Sequence, residues 1–253
     1  MRRFVPILLP LLILLGWEIA AIAINNAFFL PRLESVLDVL LNPLQDRLGS
    51  GSLVTNAVLS IERVVLGFLL AAAVAIPLGI GMGRSEAVNA FFDSTIQLLR
   101  PIPPLAWIPL ALAWFKIGLT SILFIIFLGA FFPILLNTID GVRGVKQTWI
   151  EVAATLGASE RQILAKVIVP GAAPTIWTGL RVGFGIAWMC VVAAEMLPGA
   201  SNGLGYLMIY AFNFGQVQVI IAGMIVIGLI GLAFDALFKG VDRSRFRWRG
   251  LER

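Results

Sequence analysis

The sequence predicts an all-α membrane protein of about six transmembrane helices, and three observations carry that prediction. Of its 253 residues, 59% are hydrophobic and 13% charged, with a mean hydropathy of +0.96, whereas soluble domains sit near half apolar and a quarter charged. The apolar residues fall into runs close to the roughly 20 residues that a helix needs to cross a bilayer. Basic residues gather in alternate connecting segments, as they do in chains that cross a membrane repeatedly. The same figures exclude other classes. A net charge of +5 would suggest nucleic acid in a soluble protein, but here the basic residues flank apolar runs, so no nucleic-acid partner is expected. There is no histidine and one cysteine, Cys190, which leaves neither a disulfide framework nor a metal cluster and makes Cys190 a small buried hydrophobe.

The first run, VPILLPLLILLGWEIAAIAI (5–24), follows Arg2 and Arg3. A basic start and an apolar stretch also describe a secretory signal, but Glu18 sits awkwardly in a signal core, so the run reads as a retained first span. Residues 33–41 carry Leu33, Val36, Leu37, Leu40 and Leu41 at helical spacing and predict an amphipathic surface helix ending at Asn42-Pro43. The second span is 64–83, with Pro77 as a source of a kink near its end. Prolines 101, 103, 104 and 109 follow. Each removes a backbone donor and clashes one turn back, so the third span begins irregularly and becomes regular only after about Leu105. The fourth, fifth and sixth spans are 119–139, 172–197 and 217–238.

Six spans place both termini on one side. Fourteen basic residues share that side: Arg2, Arg3, Arg84, Arg100, Arg143, Lys146, Arg161, Lys166, Lys239, Arg243, Arg245, Arg247, Arg249 and Arg253. Arg32, Arg47 and Lys116 fall on the other, and Arg63 and Arg181, at or within span ends, count for neither. The termini, the 84–100 loop and a polar island at 140–171 are therefore expected in the cytoplasm. The expected organisation is 1–60, the first span with an outer amphipathic segment; 61–238, a membrane core with a cytoplasmic loop at 141–171; and 239–253, a basic tail.

The island is too polar for lipid. Lys146–Leu156 predicts a short helix ended by Gly157 in a left-handed cap. Ser159, with Gln162 three residues on, is a capping box that starts a second helix, predicted to stop at Pro170-Gly171. This knuckle offers Val152, Ala153, Leu156 and Ile163 among four basic and two acidic residues in 141–170. A mere connector needs only a few residues, so some thirty ordered ones suit docking into a groove on a partner.

Glu151-Val152-Ala153, three residues, Gly157, nine residues, then Val167-Ile168-Val169-Pro170 resembles the EAA loop of permeases in bacterial ABC importers. The departures from that pattern are Val152 at its second position and valines at 167 and 169. The resemblance extends over roughly 55–240 and implies a type I ABC importer permease bundle in a bacterial-type plasma membrane. It further implies that Glu151, Val152, Ala153, Ala154, Leu156, Gly157, Ser159, Arg161 and Pro170 form a coupling loop that docks on an ATP-binding subunit. None of the four lysines (Lys116, Lys146, Lys166, Lys239) is followed by Ser or Thr, so the chain has no Walker motif. No cofactor is expected on this chain, and ATP with its magnesium belongs to the partner. A second, narrower resemblance, in LLRPIPPLAWIPLALAWF (98–115) and GLRVGFGIAWMCVVAAEML (179–197), is to permeases of the nitrate, sulfonate, taurine and bicarbonate subfamily. It implies a periplasmic or lipid-anchored binding protein as a further partner.

The broken start of the third span leaves backbone groups that can line a water-filled path. Candidate path residues are Pro101, Pro103, Pro104, Trp107, Arg181, Trp188 and Glu195. Arg181 can equally anchor at the cytoplasmic face, and Glu195 can sit at the outer rim or in the path. Glu18 and Asp235 read as interfacial; Trp107, Trp114, Trp177 and Trp188 could stack on a solute or pack between helices. Gly179, Gly183 and Gly185 allow the fifth span a close helix neighbour. No enzymatic constellation competes. An ion-coupled secondary transporter is the alternative, but it calls for mid-membrane carboxylates and repeated halves and leaves the knuckle unexplained. One knuckle per chain against two ATPase clefts implies a homodimer or a paired, related permease.

Overall fold

The computed structural model describes residues 5–197 and 200–245, and every regular element among them is helical. Arg2, Arg3, Arg247, Arg249 and Arg253, and with them most of the basic tail, lie outside the described residues. The elements are α1 (Val5–Ile24), α2 (Leu33–Leu41), α3 (Leu53–Arg84), α4 (Glu86–Leu99), α5 (Ile108–Phe115), α6 (Leu119–Arg143), α7 (Gln147–Thr155), α8 (Glu160–Ile163), α9 (Val169–Glu195), α10 (Leu204–Asn213) and α11 (Val217–Arg245). A 3₁₀ turn, Pro104–Trp107, leads into α5, and a π-helical turn, Leu164–Ile168, joins α8 to α9. Among the described residues four helices are long and apolar enough to cross a membrane: Leu53–Arg84, Leu119–Arg143, Glu160–Glu195 and Val217–Arg245. A fifth crossing is the pair Glu86–Leu99 and Pro104–Phe115, bent by 87°, if taken as one span. The expected six is one more than these lengths give; two shorter apolar helices remain, α1 with 20 residues, about 30 Å of rise, and α10 with 10.

Several boundaries differ from expectation. The second span starts eleven residues early, at Leu53, and runs through Pro77 to Arg84. The 84–100 loop is a helix, α4, whose first turn is capped by Ser85 Oγ accepting the Val88 N–H at 3.4 Å. The predicted stop at Pro170-Gly171 does not occur, because α8, the π turn and α9 form one continuous helix. The π turn supplies the reason. Val169 N–H bonds to Leu164 O, five residues back, and the extra residue relieves the clash between the Pro170 ring and the carbonyl one turn below.

The chain divides into two compact units. The first comprises 1–60 and 195–230. In it the Trp17 indole donates to Pro31 O at 2.9 Å, and Glu18 Oε2 accepts the Leu33 N–H at 3.0 Å. Arg32, the N-cap of α2, provides no side-chain cap, so Glu18 satisfies one of the orphan donors there. Glu18, expected to sit at an interface, is thus an anchor. α2 buries Val36 and Val39 and leaves Leu37 and Leu41 exposed. α10 falls where an outer loop was expected. Its N-cap is Gly203, which has no side chain to offer, and its first donors are met by distant residues. Gly203 N–H donates to Asn56 Oδ1 (2.7 Å), Leu204 N–H to Ser60 Oγ (2.9 Å) and Gly205 N–H to Glu195 Oε2 (3.2 Å). Ser60 Oγ donates in turn to Glu195 Oε2 at 2.7 Å, and Asn56, Ser60 and Glu195 are all fully buried.

The second unit comprises 61–194 and 231–253. α6 runs along its centre, and glycines of its neighbours let backbones close on it. Gly67, Gly79 and Gly83 of α3 face Ile126, Thr138 and Val142; Gly179 and Gly183 of α9 face Asn137 and Ile134. Gly185, expected to share that seam, has open space around it. A Cβ on Gly183 would lie 2.9 Å from Ile134 Cγ1 and 3.0 Å from Ala130 O. Because a backbone carbonyl cannot swing aside, Gly183→Ala should destabilise the protein by about 1–3 kcal/mol, read as a lower thermal midpoint in detergent. Phe184 packs against Phe68, Phe234 and Phe238 with centroids 5.2, 4.4 and 5.5 Å away, which ties α9 to α3 and to the end of α11.

Candidate functional site

The polar island is built on two reciprocal caps separated by one residue. α7 ends in a Schellman motif: Gly157 N–H donates to Ala154 O (2.9 Å) and Ala158 N–H to Ala153 O (3.0 Å), with Gly157 at φ +83°. At Ser159 the capping box is complete, Gln162 Oε1 accepting the Ser159 N–H at 2.8 Å and Ser159 Oγ accepting the Gln162 N–H at 3.4 Å. With both ends closed by hydrogen bonds, the 157–159 corner has little freedom. Thr155 Oγ1 donates to Glu151 O at 2.8 Å.

Beneath this corner lies an apolar cluster of Val142, Val145, Ile163, Ile168, Ala172 and Ile176, with Ile150, Ala153 and Ala158 packed on it. The cluster sorts the expected docking residues. Ile163 is buried and Ala153 half-buried, so neither is presented outward as expected, because the helix phase turns them toward α6 and α9. Val152 at 57% and Leu156 at 82% exposure project away from the protein. Glu151, Ala154, Ser159, Arg161 and Pro170 are also exposed. Trp149, with the Lys146 ammonium 5.3 Å from its ring centroid, joins Val152, Lys166, Pro170 and Arg245 around an open hollow of about 720 Å³.

The candidate path residues separate into two groups. Pro104 borders a cavity of about 420 Å³ that also meets Arg100, Gly129, Asn137 and Asp140. Pro101 borders an adjoining cavity of about 620 Å³ with Asp93, Gln97 and Arg100. Pro103 is the N-cap of the 3₁₀ turn, and Trp107 closes that turn with its ring 6.5 Å from Phe124. The other three are engaged in packing. Arg181 Nη2 and Nε donate to Asp235 Oδ1 at 2.6 and 2.9 Å, and Lys239 Nζ lies 2.6 Å from Asp235 Oδ2. Asp235, expected as an interfacial residue, is therefore the centre of an ion triplet between α9 and α11. Trp188 is buried, 6.3 Å from Phe234, and Glu195 belongs to the α10 cap described above. Sequence reasoning missed Arg100 and Asp140 as lining residues. The signal available was a charge one residue before the proline run and another at the end of an apolar run, each of which read as a boundary. Among the described residues no group of three or more His, Cys, Asp or Glu side chains could hold a metal.

A family profile described as binding-protein-dependent transport system inner membrane component matches residues 75–247, more than half of the chain. A protein of Methanocaldococcus jannaschii, provisionally named as an ABC transporter permease, is 58% identical over 95% of this chain and 90% of its own length. The taurine transport system permease protein of Escherichia coli is 37% identical over 96% of this chain and 88% of its own. A bicarbonate transport system permease protein of Synechococcus elongatus is 37% identical over 94% and 88%. An inward-facing structure of the MetNI methionine ABC transporter is similar in fold, with a TM-score of 0.60 and 19% identity over 75% of this chain and 95% of that one.

Proposed function

Since the chain belongs to the family of binding-protein-dependent transport system inner membrane components, we propose that it is the membrane subunit of an ATP-driven importer for a small oxyanion or sulfonate. The substrate class extends to this chain the transport of taurine and bicarbonate named for its relatives. The chain itself does no bond chemistry. ATP and magnesium sit in a separate ATPase subunit, and a periplasmic or lipid-anchored binding protein delivers the solute. The termini and the island lie on the cytoplasmic side, and two copies, or one copy and a related permease, face the two clefts of an ATPase dimer.

The observation that carries this reading is the placement of Val152 and Leu156. Two large apolar side chains stand in the open on a helix whose own core contacts lie on its opposite face. A solvated connector would not expose them in this way, whereas a helix that inserts its apolar face into a partner's groove would. Glu151 and Arg161, both exposed, rim that face with opposite charges. ATP binding closes the partner dimer, α7 follows, and the motion enters α9 directly, because α8, the π turn and α9 form one continuous helix. Transport is then an exchange between two states that the nucleotide and the solute each favour differently.

Pull-down of the tagged chain from native membranes in mild detergent tests this. Recovery of a P-loop ATPase is the expected result. Repeated recovery of the chain alone, in a form that transports without ATP, would replace the reading with an ion-coupled carrier. Leu156→Asp should cut ATPase recovery sharply. Losing the burial of one such side chain costs about 2 kcal/mol, roughly 30-fold in affinity, before the cost of burying the new charge. Alanine at Glu151 or Arg161 should weaken recovery less, and unchanged recovery with both truncated would remove those two contacts from the interface.

A further inference from the structure

The cavity beside the broken third span has a charge pattern that bears on what it holds. α6 lines it along one face, from Leu128 and Phe132 through Leu136 and Asn137 to Asp140, and Arg100 and Pro104 close it from the 87° bend. Its volume of about 420 Å³ lies within the range of small-molecule sites. Its only ionisable lining residues are Arg100 and Asp140, and neither makes an ion pair or side-chain hydrogen bond among the described residues. Some opposite charges of this chain pair with each other, as in Arg181–Asp235–Lys239 and Arg47–Asp38. Here one of each sign faces the same space and stays available.

We infer that this cavity is a solute subsite and that it takes a zwitterion, with an anionic oxo-acid group on Arg100 and an ammonium group on Asp140. The inference rests on the transport reading and narrows its substrate class. Charge is the first argument. The cavity lining sums to zero, and the adjoining cavity, which shares Arg100, adds Asp93, whose Oδ2 already accepts from Gln97 Nε2 at 2.6 Å. One cation against two carboxylates repels a bare monoanion but suits a molecule that brings a positive group of its own. Hydrogen-bonding capacity is the second argument. Pro101, Pro103 and Pro104 have no N–H, so the broken segment offers acceptors and few donors. Asn137 Nδ2 already donates to Pro133 O at 2.8 Å. Donors for an anion therefore come chiefly from Arg100, and the charged acceptor for an ammonium group is the Asp140 carboxylate.

The test uses the full chain in lipid nanodiscs, titrated with taurine, with isethionate (the same molecule with a hydroxyl in place of the ammonium group) and with nitrate. Taurine should bind about tenfold more tightly than isethionate, the scale of one charge-assisted hydrogen bond. Asp140→Asn should remove the preference for taurine, weakening taurine while isethionate binds at least as tightly as to the wild type. Arg100→Gln should weaken both. Asp140 and Arg100 are exposed, so their variants should unfold at the wild-type temperature, which separates a lost contact from a damaged fold. Equal binding of taurine and isethionate, taurine binding indifferent to Asp140→Asn, preference for nitrate, or no binding of any probe would each overturn the inference. If the ATPase co-purifies and taurine is not preferred, the subsite assignment alone fails. If taurine is preferred and no ATPase is ever found, the site stands and the ATP-driven reading falls.

Discussion

Gly157→Val is expected to leave the protein inserted and folded while abolishing ATP-driven uptake. Gly157 has φ +83°, and a Cβ built there would meet nothing within 4 Å. The harm would therefore be conformational, with no steric clash in the folded state. An L-residue in the left-handed region costs about 1–2 kcal/mol, and a β-branched side chain is a genuine outlier there. α7 has nine residues, below the length at which a helix holds itself together in water, and it buries no residue fully. Its direction thus depends on the Schellman bonds and on the capping box that follows one residue later. Releasing that corner would let α7 turn, and Val152 and Leu156 would leave their positions. Asparagine tolerates the left-handed region, so Gly157→Asn should keep most of the uptake. The measurement is ATP-dependent accumulation in proteoliposomes containing the purified complex, with the amount of inserted chain as control. Normal accumulation by the valine variant would remove α7 from the coupling route.

The same corner shows what the sequence could and could not disclose. Gly157, Ser159 and Gln162 act on neighbours within a few positions, so their caps were legible from spacing alone. Pro170 was misleading for the same reason. A local rule sees a proline as a stop, whereas the π turn at Leu164–Ile168 absorbs it and keeps the helix continuous. Ile163, expected to face outward like Leu156, is buried, because hydrophobicity does not reveal which side of a short helix meets the core. α10 was overlooked because it is ten residues long, too short for a span, and two of its capping groups, Asn56 and Ser60, lie far away in the chain. Arg100 and Asp140 each read as boundary residues, and the cavity that joins them exists only once three separate segments come together.

Gly203→Ala should be among the most damaging single-methyl changes in the protein. Two costs coincide at this position. Its φ is +110°, a conformation that an L-residue adopts only under strain of about 1–2 kcal/mol. The added Cβ would also run into the Glu195 carboxyl group, which is fully buried and held by Ser60 Oγ and the Gly205 N–H. The carboxyl group cannot yield without breaking those bonds, and overpacking of a fixed neighbour costs about 1–3 kcal/mol more. If it does move, the first N–H groups of α10 lose part of their cap, and buried donors are left unsatisfied. The sum is about 2–5 kcal/mol, a large share of the stability of an ordinary domain. Gly49→Ala is the matched control. Gly49 has φ +73° with nothing within 4 Å of the added Cβ, so it should show the strain cost alone. Thermal unfolding of both variants in detergent compares them directly. A Gly203→Ala midpoint no lower than that of Gly49→Ala would mean that Glu195 has room to move, and the buried cap would then lose its place as the anchor of α10.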